Sequence, residues 1–284
     1  MQSLDTTAES DQGHPDRPLA TLLVGLAVCP GLARAIMLVI APESIPASLL
    51  NWVLLSEYTV LVIILMRARR SLASLHMDRP SLALLSLAGL ILALLSPTTI
   101  PGALQAVAFL ALGLCLLWLA RGYHASSGGG RLPTVSLLII GALAGLAMAV
   151  FFSIVRVWGM RDLETGDVPT LTQALQFIAS AVPLQFARAA SLEEALYRGV
   201  LWAWLKQRGV KEKWVLILQV VPFWIGHIAG QNEPFAFWVV IPAGGLLLGC
   251  LAWRLRSVSA PMIAHTIYNT FAYFAHLLVV GLYG

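Results

Sequence analysis

Between positions 133 and 155 the chain runs for 23 residues, PTVSLLIIGALAGLAMAVFFSIV, without a charged side chain. A helix of that length rises roughly 35 Å, enough to cross the ~30 Å hydrocarbon core of a bilayer. Comparable apolar stretches predict further spans near 19–41, 49–66, 80–96, 101–120, 170–189, 214–230, 234–253 and 260–282. Open strands in lipid would leave backbone groups unpaired, so helices are the expected element throughout. The surface chemistry agrees. Of 284 residues 58% are apolar and only 11% charged, under half the ~25% typical of a soluble domain. The expected fold is all-α, a polytopic transmembrane helical bundle of about eight spans plus a partial or interfacial helix. No internal repeat stands out.

Arginine and lysine order the spans across the membrane. Clusters fall at Arg67/Arg69/Arg70, at Arg121 and Arg131 around the linker 126–130, at 206–213, and at Arg254/Arg256. The positive-inside rule puts each on the cytoplasmic side. The alternation then closes with a cytoplasmic N-terminus if residues 170–205 cross once, as one span plus a half-buried helix starting near Ser191 after a break around Pro183. Residues 1–18 read as a disordered cytoplasmic tail, 19–160 as variable N-terminal transmembrane helices and 161–284 as the part that carries chemistry. The tail lacks the basic start and cleavage site of a signal peptide. The formal charge of +4 fits such loops, and with no basic face interleaved by aromatics a nucleic-acid partner is set aside. Cys29, Cys115 and Cys250 lie far apart in apolar stretches and read as small buried hydrophobes. Arginine outnumbers lysine fifteen to three in an Ala/Leu/Gly-rich background, a bias that hints at a GC-rich bacterial genome and so at a bacterial inner membrane.

Ionisable groups inside apolar spans are costly and are candidate functional residues. Three patches qualify. In Ser191-Leu-Glu-Glu-Ala-Leu-Tyr-Arg-Gly199, Ser191 is a plausible N-cap, with Glu193 and Glu194 in the first turn where the helix dipole favours negative charge. Glu194 and Arg198 are four apart and can pair, whereas Glu193 lies about 100° round the helix with Tyr197 and Val200. In Phe223-Trp-Ile-Gly-His227, Phe223 and His227 share a face. In His265-Thr-Ile-Tyr-Asn269 the two polar residues again point the same way. Taken singly, an ordinary Glu–Arg pair, a histidine bonded to a backbone carbonyl and polar helix-packing glue all stay open.

Together, Glu-Glu-x-x-x-Arg, Phe-x-x-x-His and His-x-x-x-Asn, in that order, resemble the three-part signature of the CPBP family of intramembrane proteases, related to the CAAX-processing prenyl proteases. The resemblance covers about residues 170–275 and includes Tyr-Arg-Gly after the glutamates and Ala-Pro-Met-Ile-Ala before His265. It implies that residues 161–284 form a CPBP-type catalytic core. Glu193 would be the general base, His227 would position and polarise the attacking water, and His265 and Asn269 would donate to the oxyanion. Glu194 and Arg198 would be supporting partners that hold the helix and tune Glu193, with Phe223 completing the motif. No cofactor is required in that reading. A zinc or other divalent metal on Glu193, His227 and His265 is the alternative chemistry. The implied substrate is a membrane-associated protein or peptide cut near a terminus: a prenylated CAAX protein, a peptide leader or a C-terminal sorting tail. From other classes, a non-catalytic immunity or scaffold protein with the same fold and a transporter remain as rivals.

Overall fold

The computed structural model describes Gly25 and residues 47–97, 99–123, 132–159, 170–228 and 233–283, and no strand occurs among them. Eight helices order the described chain: α1 (Ala47–Arg67), α2 (Arg79–Leu94), α3 (Ile100–Arg121), α4 (Thr134–Gly159), α5 (171–207), α6 (212–225), α7 (Ala236–Leu255) and α8 (Ser259–Tyr283). A short 3₁₀ turn, Leu72–Leu75, follows α1. Among the described residues three helical stretches are long and apolar enough to cross a membrane: Ile100–Arg121, Thr134–Arg156 and Ala236–Leu255. Their outward faces carry Leu104, Leu114, Trp118, Leu143, Phe151 and Trp238, all exposed, a surface that water would not tolerate at this density and lipid does. The protein is a helical membrane protein. The tail 1–18, the expected span 19–41 apart from Gly25, and the linker 126–130 lie outside the described residues.

Glycine lets two of the helices come close. A side chain at Gly145 would meet the Ala264 carbonyl at 2.5 Å and Ile267 Cβ at 2.8 Å, and one at Gly141 the Ala260 carbonyl at 2.5 Å. These two glycines, one turn apart, clamp α4 along α8 in the manner of small-residue packing in membranes. Every chemistry-bearing residue of the signature sits on α5, on α8 or at the end of α6, so α4 braces one wall of the site. Cys115 lies exposed on α3 and Cys250 half-buried. The expectation of buried thiols fails for Cys115 because the apolar face it occupies is the outer one.

The expected break at Pro183 does not occur. After Thr170, which caps α5 in a reciprocal box with Gln173, the chain stays helical from 171 to 207. At ~1.5 Å per residue those residues span roughly 55 Å, well beyond a ~30 Å core. Pro183 has no N–H to give the preceding turn. The helix accommodates it by widening just downstream into a π turn at Phe186–Ala190, then returns to α geometry at Ser191–Glu194 and widens again at Ala195–Leu201. Local π adjustment of this kind preserves backbone pairing in lipid. Ser191 is therefore mid-helix, at φ −66° and ψ −43°, and makes no cap. Glu193 and Glu194 sit in the interior of a helix rather than in a first turn.

Candidate active site

The short α stretch Ser191–Glu194 lies between the two widened turns and sends its adjacent carboxylates in different directions. Glu194 points inward: its side chain and that of Arg198 are both fully buried, 3.1 Å apart between Oε1 and Nη1. Glu193 keeps 14% of its side chain exposed, and its Oε2 is 4.0 Å from Nε2 of His227.

A fully buried arginine needs its charge and its donors answered. Glu194 answers the charge. Nη2 donates to the Gly245 carbonyl at 3.1 Å, and the guanidinium carbon stands 4.3 Å from the centre of the Phe223 ring, within cation–π range. Gln219 Nε2 donates to the same carbonyl at 3.4 Å and to Leu216 O at 3.0 Å. Gly245 lets α7 approach closely there, since a side chain would meet Phe223 Cδ1 at 3.1 Å, tighter than an ordinary contact. The arginine thus ties α5 to α7.

Phe223 is the hub of the aromatic packing. Tyr197 meets it edge-on at 5.7 Å, His227 lies 4.6 Å away and His265 5.9 Å away, ring centre to ring centre. α6 delivers Phe223 and His227 through a turn at Gln219, three residues before Pro222, whose missing N–H leaves the Leu218 carbonyl without its helical donor. Within the expected span 214–230 the α-helix runs to Ile225, Ile228 is in 3₁₀ geometry, and residues 229–230 lie outside the described residues. His227 follows in a turn between the α-helix and that 3₁₀ residue, its N–H on the Trp224 carbonyl at 3.0 Å.

The ring nitrogens have defined roles. Nδ1 of His227 is 2.8 Å from the Phe223 carbonyl. A carbonyl only accepts, so Nδ1 carries the proton and, in the neutral ring, Nε2 presents its lone pair towards Glu193. On α8, Nδ1 of His265 lies 2.9 Å from Glu194 Oε1, so it too is the protonated nitrogen. Glu194 therefore serves His265 and Arg198 through one oxygen. One turn along α8, Asn269 Nδ2 donates to Gln185 Oε1 at 3.1 Å.

The structure thus joins Glu193 with His227, and Glu194 with Arg198 and His265, around Phe223, while Asn269 joins the last α5 residue before the first π turn. Residues 174–271, which contain all of these positions, match the family model described as type II CAAX prenyl endopeptidase, Rce1-like. That segment is therefore similar to the type II CAAX prenyl endopeptidases of the Rce1-like family. The match takes in about a third of the chain and begins inside α5. No curated protein matches the sequence, and no solved structure does. Among the described residues, no three His, Cys, Asp or Glu side chains are gathered as metal ligands would be. Two polar residues at the site went unread in the sequence, Gln185 and Gln219. Both are amides in apolar helices, and Gln219 precedes Phe223 by one turn on the face that leads to His227, which was the available signal.

Proposed function

We propose that the chain is an intramembrane endopeptidase that cuts a peptide bond near the terminus of a membrane-associated protein, with Glu193 as general base. The observation that carries this reading is the Glu193–His227 pair. Its 4.0 Å separation is too long for a direct hydrogen bond and suits one water held by both groups. Glu193 Oε2 accepts a water proton as the oxygen attacks the scissile carbonyl carbon, and His227 Nε2 accepts the other hydrogen bond and orients the attack. Their side chains are 14% and 34% exposed, whereas Glu194 and Arg198 are sealed; Oε2 of Glu193 is itself buried, so the water enters when the pair opens.

His265 and Asn269 take the developing oxyanion. With Nδ1–H directed at Glu194, His265 donates from Nε2 as the doubly protonated ring, and the Glu194 carboxylate supports that charge. Asn269 offers an Nδ2–H. Each such donor is typically worth about 10²–10³ in rate. Collapse of the tetrahedral intermediate breaks the C–N bond, and the proton held on Glu193 passes to the departing amine. No metal takes part in this scheme.

The substrate is a prenylated CAAX protein, a peptide leader or a C-terminal sorting tail. The reading includes a bacterial inner membrane and a cytoplasmic N-terminus. Lys206, at the end of α5, and Arg256, just past α7, support one cytoplasmic edge by converging on Glu212, 3.8 and 3.3 Å from its Oε1.

The test is a survey of peptide termini in membrane and secreted proteins from host cells that carry wild type or Glu193→Gln. One class of proteins should keep an uncleaved terminus only with the variant. Matching profiles at equal accumulation of the two proteins would remove Glu193 from the chemistry and leave a non-catalytic role.

A further inference from the structure

Asn269 has to present an N–H in one direction if it is to meet an oxyanion, and the anchor for that comes from outside its own helix. The terminal torsion of asparagine is broad, so an amide held only by its helix samples many orientations. The structure supplies an anchor from 84 positions away: Oε1 of Gln185 accepts from Asn269 Nδ2 at 3.1 Å across the α5–α8 contact. A primary amide nitrogen carries two hydrogens. Fixing one on Gln185 sets the plane of the amide and leaves the second with a single direction. We propose that Gln185 is a positioning residue of the peptidase, orienting Asn269 as an oxyanion donor. The inference rests on the role given to Asn269 above and adds a residue outside the three-part signature.

Helix geometry accounts for how Gln185 comes to lie there. In an unbroken α-helix, residues 185 and 193 stand eight steps of ~100° apart, so their side chains diverge by about 80°. Between them lies the π turn Phe186–Ala190. One residue absorbed in such a turn takes back about 100° of rotation, which brings Gln185 to within about 20° of the stripe of Glu193. The widened turn that follows Pro183 therefore aligns the anchor of the oxyanion donor with the base. Gln185 is half-buried, as is Asn269, so bulk water competes only partly for the amide pair.

Two readouts test it on the full-length protein in proteoliposomes. The cleavage probe is the membrane protein whose terminus stays uncleaved with Glu193→Gln. Gln185→Met keeps the length of the side chain and removes the acceptor. It should lower kcat about tenfold with KM unchanged, short of the 10²–10³ that loss of a whole donor produces. Combined with Asn269→Ala it should add no further loss, because a residue acting only through Asn269 has nothing left to orient. Independent multiplicative losses in the double variant, or wild-type kcat for Gln185→Met beside an impaired Asn269→Ala, overturn the inference alone. Wild-type turnover by Asn269→Ala overturns the role of Asn269 and this inference with it. The second readout needs no turnover. In thermal unfolding, Gln185→Met and Asn269→Ala should each lower Tm by about 2 °C, and the double variant by about as much as either alone. Fully additive Tm shifts would count against the hydrogen bond itself.

Discussion

Substituting Glu194 by glutamine tests how the buried charges are held. The change keeps size and one oxygen acceptor, so any loss comes from the missing charge. Arg198 remains fully buried with the Gly245 carbonyl and the Phe223 ring but no carboxylate. Removing one partner of a buried ion pair typically costs 3–5 kcal/mol. At roughly 2–4 °C per kcal/mol, the scale for larger domains, Tm should fall by about 6–20 °C. Arg198→Met in the same chain removes the stranded charge. It leaves the Gly245 carbonyl to Gln219, 3.4 Å away, so the double variant Glu194→Gln/Arg198→Met should recover at least half of the loss. Tryptophan fluorescence during heating in detergent, at one scan rate for all variants, reads both. A Tm for Glu194→Gln within about 3 °C of wild type, or a double variant no more stable than the single, would refute the idea that Glu194 is the counter-charge.

Three further outcomes follow from the geometry. A strong chelator, removed before the assay, should leave the cleavage rate unchanged, whereas loss restored by zinc would transfer the chemistry to a metal on Glu193, His227 and His265. Gly145→Val forces a methyl-bearing carbon against the Ala264 carbonyl and should destabilise by about 1–3 kcal/mol or more, read as a lowered Tm. At the polar edge, the Trp253 indole N–H donates to Glu212 and, with Arg256 and Lys206 nearby, holds its carboxyl below the usual carboxylate range. A depressed folded value stabilises above the unfolded pKa of about 4.3 and fades as pH falls through the folded one. Glu212→Gln should therefore lower Tm slightly at pH 7, by an amount that shrinks to nothing once the pH has fallen below the folded pKa.

Membrane residence and helical class were legible in the sequence because 133–155 and its like leave no other solvent or element. The chemistry-bearing pairs were legible as residues four apart, and the structure does join Glu194 to Arg198 and stack Phe223 on His227. The shape of α5 was not. Its length argued for a break and Pro183 offered a place, but a proline deprives the helix of one hydrogen bond, which a widened turn can absorb, and no residue type marks a π turn. The second partner of Glu194 was equally hidden. His265 lies 71 positions away, and spacing along a chain carries no information about contacts between helices. Gln185 escaped for the same reason.

The clamp between Gly141, Gly145 and α8 bears on what can be exchanged between relatives. The family match begins at residue 174, yet the helix that carries His265 and Asn269 lies against Thr134–Gly159, which precedes it. The matched stretch is thus not an autonomous module. A chimera that grafts the signature helices onto a foreign N-terminal half brings His265 and Asn269 without the surface that seats their helix. Grafts should stay functional when α4 travels with α8, whatever becomes of the helices before it.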